Sequence, residues 1–187
     1  ALKKGEMVLD EVVEAFTMPK FNPKKASTQI DPESIELDPN VVSQLRDFIE
    51  AASMQYKDNH FHNFEHASHV TMSAVKLLNR IVIPEDIDYD KSNVDGIHAD
   101  LHDSTYGITS DALAQFAVAF STLIHDADHR GVPNGQLAKE MPALGEKYKP
   151  TSIAEQNSVD LTWDLLMNPQ FKELKQCIFS NEKEVKR

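Results

Sequence analysis

Two short clusters hold the residue types that could do chemistry in this chain: His62-Asn63-Phe64-Glu65-His66 and, far downstream, His125-Asp126-Ala127-Asp128-His129. In a helix, the spacing of His62 and His66 stacks two imidazoles on one face, and His69 extends that face by another turn. The second cluster packs two histidines and two carboxylates into five residues. Imidazole suits zinc and other transition metals, whereas carboxylate and water suit magnesium or manganese. A mixed set therefore favours a two-metal hydrolytic centre over a structural zinc, which would want cysteines. The chain has one cysteine, Cys177. Ligands this far apart in sequence imply a folded site.

With eight histidines among 187 residues, a lone His-x-x-x-His pair also arises by chance and then reads as solvated or core-satisfied. The second cluster argues otherwise. His125-Asp126 ends a strongly apolar helical run, and a carboxylate at a helix C-terminus opposes the macrodipole. A bound cation would offset that cost.

The elements that must position these clusters read as helices. Met7 to Thr17 carries Val8, Val12, Val13 and Phe16 at helical spacing, followed by a polar connector through Pro19, Pro23 and Lys24-Lys25. Asp38-Pro39 is a helix start, Asp as N-cap and Pro at the first helical position, with Val42, Leu45, Phe48, Ile49 and Ala52 as the apolar stripe. A second helix is expected from near Phe64 to Val82, ending before Pro84. The polar, aspartate-rich stretch from Pro84 to Ser110 reads as a surface loop, and its His98, Asp100, His102 and Asp103 read as loop residues, with a metal cluster as the minor alternative. Ser110 would then cap a helix that buries Leu113, Phe116, Ala117, Phe120, Leu123 and Ile124 and delivers His125 and Asp126. Gly131-Val132-Pro133 turns the chain, a short helix follows through Leu137 to Met141, and a longer one runs from Ile153 to about Met167. Residues Glu182 to Arg187 read as a charged, frayed end. No period-2 alternation long enough for a strand is present.

The pattern His62-Asn63-x-x-His66-Ala67, then His125-Asp126-x-x-His129-x-Gly131-x-x-Asn134, resembles the catalytic domain of class I 3',5'-cyclic nucleotide phosphodiesterases. It continues through Ser110-Asp111-Ala112-Leu113 and Ser152-Ile153-Ala154-Glu155-Gln156-Asn157, and runs from about Leu37 to Leu166. The resemblance implies an all-α, multi-helix, HD-type catalytic domain, incomplete at the C-terminus. Residues 1–36 would form an N-terminal helix and connector, and 37–187 the N-terminal portion of that domain. It further implies metal-dependent hydrolysis of cAMP, cGMP or both to 5'-nucleoside monophosphates in signal transduction, with two divalent cations, zinc together with magnesium or manganese.

By the same resemblance His66, His125 and Asp126 are metal ligands, His62 is the general acid that protonates the departing oxygen, and His129 and Glu155 hold waters on the second metal. Ser152-x-x-Glu155 is equally a capping box, which would give Glu155 a purely structural task. Asn63 and Asn134 read as loop-fixing residues, and Asp128 as an outer partner of the metals or a solvated carboxylate. Phe61, Arg130 and Asn157-Ser158 depart from the family's usual tyrosine, proline and histidine pair. The family's remaining aspartate ligand and its purine-clamping glutamine fall beyond the matched half, so the chain alone is expected to be inactive. Two alternatives stand beside this reading: an HD-type phosphohydrolase acting on other nucleotides, and a non-catalytic regulatory module.

Composition fits this reading. At 41% hydrophobic and 26% charged, the chain can bury the core of one domain or part of one. A net charge of −11 argues against nucleic-acid binding, and there is no apolar run of membrane-span length. The single cysteine favours a reducing, intracellular and cytoplasmic setting. The first residue, Ala1, suggests a piece of a longer parent with further domains, which could attach to a membrane.

Overall fold

The computed structural model describes residues 20–22, 34–80, 94–108, 110–148, 152–179 and 181. The expected helix from Met7 to Thr17 and the charged C-terminal end lie outside them. Among the described residues the fold is all-α, with no strand.

Helix α1, Pro39–Ser53, begins as its sequence dictates: Pro39 sits in the first turn and the Asp38 carboxylate accepts the Asn40 N–H at 2.7 Å. Its buried stripe is Val41, Phe48 and Ala52 with Leu45 beside them. The expected Val42 and Ile49 are displaced to its flanks. This stripe meets Leu166 of α7 (Ile153–Met167), Phe171 of the 3-10 turn Pro169–Phe171, and Leu174 of α8 (Lys172–Ile178). Phe48 is the centre of the core, stacked on Phe120 and edge-on to Phe171, each at 5.5 Å between ring centroids. Truncating such a side chain to Ala costs about 3–5 kcal/mol.

Helix α2 is Phe64–Leu78 and packs along α4, Ala112–Ile124. It stops at Asn79, earlier than the expected Val82. Two further expectations for the intervening segment are corrected. Residues Val94–Ser104 form a helix, α3, within the stretch read as a loop. Its His102 is buried, with Nδ1 2.6 Å from Ser110 Oγ and the Phe21 ring 5.7 Å away; an apolar packing partner was not visible in the polar sequence nearby. Ser110 is thereby engaged with His102, and the N-cap of α4 is Asp111, whose Oδ1 accepts the N–H groups of Leu113 and Ala114. Along α4 only Ile124 is fully buried, and Ala117, expected inside, is exposed.

Helices α5, Asn134–Glu140, and α6, Pro142–Lys147, follow the turn at Gly131. They pack on α7 through a second small core of Leu137, Tyr148, Ile153 and Ala154. At its edge Asp160 accepts hydrogen bonds from the Tyr148 hydroxyl and the Lys147 ammonium, each at 2.9 Å. No helix among the described residues is long and apolar enough to cross a membrane.

Candidate metal centre

Two backbone features set the histidines in place. Asn63 caps α2, its Oδ1 accepting the His66 N–H at 2.9 Å, so the first turn of α2 begins between His62 and His66. At the other side α4 ends at His125, and the chain turns through Asp126, Ala127 and Asp128. Asp128 holds a left-handed conformation, φ 60°, tolerated by Asp but costly enough to need support. That support is present. Its N–H donates to Gln55 O at 2.9 Å, Lys57 Nζ lies 2.7 Å from Oδ1, and Asn157 Nδ2 donates to Oδ2 at 3.1 Å. The buried Ser158 hydroxyl donates to Ala127 O at 2.6 Å. Asp128 is therefore a clamp of this turn, and Asn157-Ser158 bind the turn to α7.

Within this frame three imidazoles converge on one oxygen. Asp126 Oδ2 lies 2.9 Å from His62 Nδ1, 3.1 Å from His125 Nε2 and 3.7 Å from His66 Nε2, and Asp126 is buried. His125 is the most telling. Its Nδ1 faces Thr122 O at 2.9 Å while its Nε2 faces the carboxylate. A neutral ring has one proton for those two acceptors. With Nδ1–H given to the carbonyl, Nε2 presents a lone pair to a carboxylate, which is repulsive unless a proton or a cation lies between. A carbonyl on the far nitrogen is how metal-ligating histidines are usually oriented. His66, His125 and Asp126 offer ligand atoms all within 4.8 Å of one another, and this donor set fits a transition-metal cation.

His62, Asp126 and His129 also lie within that range of one another, but His129 has the wrong proton for a ligand. Its Nδ1 accepts the Gly131 N–H at 3.0 Å, which leaves the proton of the neutral ring on Nε2. Burial, reinforced by the neighbouring His62, pushes the His129 pKa below the ordinary histidine value against the opposing pull of Asp126 and Glu155. His129 is thus a neutral hydrogen-bond donor beside the cluster, its ring stacked on His62 at 3.8 Å between centroids.

Glu155 stands on the first turn of α7, exposed, and the capping box that was its alternative role does not form. Ser152 is left-handed, φ 54°, and makes no side-chain cap bond. Asn134 replaces it: its Oδ1 accepts the Ala154 N–H at 2.9 Å and its Nδ2 donates to Glu155 Oε2 at 3.0 Å. That amide fixes the Glu155 carboxylate at the start of α7. His69 is exposed and lies outside both groups of candidate ligands; His98, Asp100, His102 and Asp103 lie outside them too.

Sequence reasoning missed Tyr56 and Asn59. The Tyr56 hydroxyl donates to Leu123 O at 2.7 Å, tying the segment before α2 to the end of α4. Burial pushes its pKa up from 10.0 to about 12. Asn59 Oδ1 accepts the N–H groups of Phe61 and His62 at 3.0 and 2.9 Å; its position three residues before His62 is the only trace in sequence, that of an Asx-type turn.

A model of the 3'5'-cyclic nucleotide phosphodiesterase family matches residues 61–187. A probable 3',5'-cyclic-AMP phosphodiesterase, pde-4 of Caenorhabditis elegans, is 28% identical over 113 residues, which are 60% of this chain and 13% of that protein. The chain thus spans a small part of the relative's length. No solved structure matches. The family match takes in both histidine clusters and helices α2 to α8, and the chain belongs to the 3',5'-cyclic nucleotide phosphodiesterase family.

Proposed function

We propose that this chain is the N-terminal portion of a catalytic domain, residues 37–187, preceded by a helix and connector over 1–36. The whole protein would hydrolyse 3',5'-cyclic nucleotides to 5'-monophosphates in intracellular, cytoplasmic signalling. The observation that carries the reading is the convergence of His62, His66 and His125 on Asp126 Oδ2, with both nitrogens of His125 facing acceptors.

His66, His125 and Asp126 would hold a zinc ion, and Asp126 would also serve a magnesium or manganese ion. When bound, such ions neutralise phosphoryl charge and lower the pKa of a water. His129 and Glu155 would orient solvent beside that pair, His129 through the Nε2–H that Gly131 leaves available. His62 would supply the proton. Its Nδ1–H is held by Asp126, so in the imidazolium form Nε2–H is the proton delivered to the departing 3'-oxygen, and the ring returns to neutral with Nδ1–H still in place.

The relative's name makes cAMP the first substrate to try. The test is turnover of cAMP and of cGMP by the parent protein, with and without a chelator. Chelator-sensitive release of 5'-monophosphate is expected. Hydrolysis of neither, with both metals supplied, would overturn the proposal.

A further inference from the structure

The side chain of Asn59 touches both histidine clusters. Its Oδ1 fixes the backbone of His62 through the two N–H bonds at 3.0 and 2.9 Å. Its main-chain oxygen accepts Asn63 Nδ2 at 3.0 Å, and Asn63 in turn caps the His66 N–H. Its Nδ2 reaches across to His129 O at 3.5 Å, the long end of hydrogen bonding. On that far side stands Gly131 at φ +74°, where a Cβ would come within 3.1 Å of Asn59 Nδ2. Glycine meets two needs there, the left-handed backbone and the room for the amide.

We propose that Asn59 is a positioning residue that couples the two histidine turns and sets the His62 ring against Asp126 and His129. An asparagine that merely closed its own loop would need the Oδ1 bonds alone. The reach of Nδ2 to His129 O, and the glycine that admits it, join a second segment to the first. The outcome is the stacking of the His62 and His129 rings, 3.8 Å apart between centroids and inclined by 29°. Small displacements of a proton donor are costly to turnover because reacting groups must lie within hydrogen-bond reach.

The kinetic consequence rests on the proposed role of His62, whereas the ring geometry does not, so two readouts separate them. In the 187-residue chain, histidine ring resonances are followed by ¹H–¹⁵N NMR in Asn59→Ala, Asn59→Asp and Gly131→Ala. Asn59→Ala is expected to move the His62 and His129 resonances and to leave the distant His102 in place. Asn59→Asp keeps the acceptor for the Phe61 and His62 N–H groups but lacks the donor. It should return His62 toward wild type while His129 stays shifted. Gly131→Ala, pressing from the other side, should move both. In the parent enzyme Asn59→Ala should lower kcat about 10- to 100-fold with KM and metal content held, as outer-shell changes typically do. Unmoved His62 and His129 rings in Asn59→Ala would overturn the proposal. So would a His102 shift in both Asn59 variants, which marks a general loss of structure. If the wild-type parent turned over no cyclic nucleotide, the enzymatic reading would fall and the ring shifts would still decide the role of Asn59.

Discussion

At the scale of single residues, histidines close together in space carry different protons because their far nitrogens meet different partners. His125 has a carbonyl on Nδ1 and becomes a lone-pair donor; His129 has an N–H on Nδ1 and becomes a hydrogen-bond donor. Substitution should separate them. In the complete domain His66→Ala, His125→Ala or Asp126→Ala is expected to weaken zinc binding measured by calorimetry, and His129→Ala to weaken it less, about 10- to 100-fold. Equal binding by wild type and His66→Ala would refute the ligand assignment. His62→Ala in the parent should keep its metal and lose roughly 10²- to 10⁴-fold in turnover, the range for a general acid. A substrate with a better leaving group should recover much of the loss; metal lost together with activity would make His62 a ligand. The two clusters that the fold brings together were legible in sequence because their residue types are rare in combination. The tautomers were not, since they depend on Thr122 O and the Gly131 N–H, backbone groups that no side-chain pattern reports.

At the scale of elements, the apolar periodicity of α1 and the Asp38-Pro39 start were readable, because both are local. What failed depended on partners distant in sequence: Ser110 is drawn to His102, leaving Asp111 to cap α4, and Ser152 turns left-handed while Asn134 caps α7. Tyr56 gives this scale a pH test. Its pKa rises from 10.0 to about 12 on folding, so its contribution to stability is complete below pH 10 and is lost as pH rises toward 12. Urea midpoints measured from pH 9 to 12 should fall more steeply for wild type than for Tyr56→Phe, which has no phenol to ionise. Identical slopes would mean that the half-buried hydroxyl does not link α4 to the segment before α2.

At the scale of the molecule, large apolar side chains remain on the surface: Met72, Val75 and Leu77 on α2, and Val159 and Trp163 on α7, with Leu77 62% exposed. Such surface promotes association. Sedimentation velocity of the 187-residue chain should show a sedimentation coefficient that rises with concentration, and Leu77→Glu with Trp163→Glu should flatten the rise. A coefficient independent of concentration in the wild type would refute this. Among the described residues the proposed ligand set is His66, His125 and Asp126, three side chains from two segments, few for the two-cation centre proposed above. The chain alone is expected to hydrolyse neither cAMP nor cGMP at a useful rate. Chelator-sensitive turnover by the purified chain would show that a residue already present completes the centre.

The Asn134 bond to the Ala154 N–H has a consequence for the order of folding. A helix capped by its own preceding residue can nucleate alone, but α7 takes its cap from a residue twenty positions upstream. Its first turn can form stably only after that loop has closed, and loop closure exacts an entropy that local capping does not. The start of α7 should therefore be a late event. In pulsed hydrogen exchange during refolding, the Ala154 amide should gain protection together with the α5 amides and after those in the middle of α7.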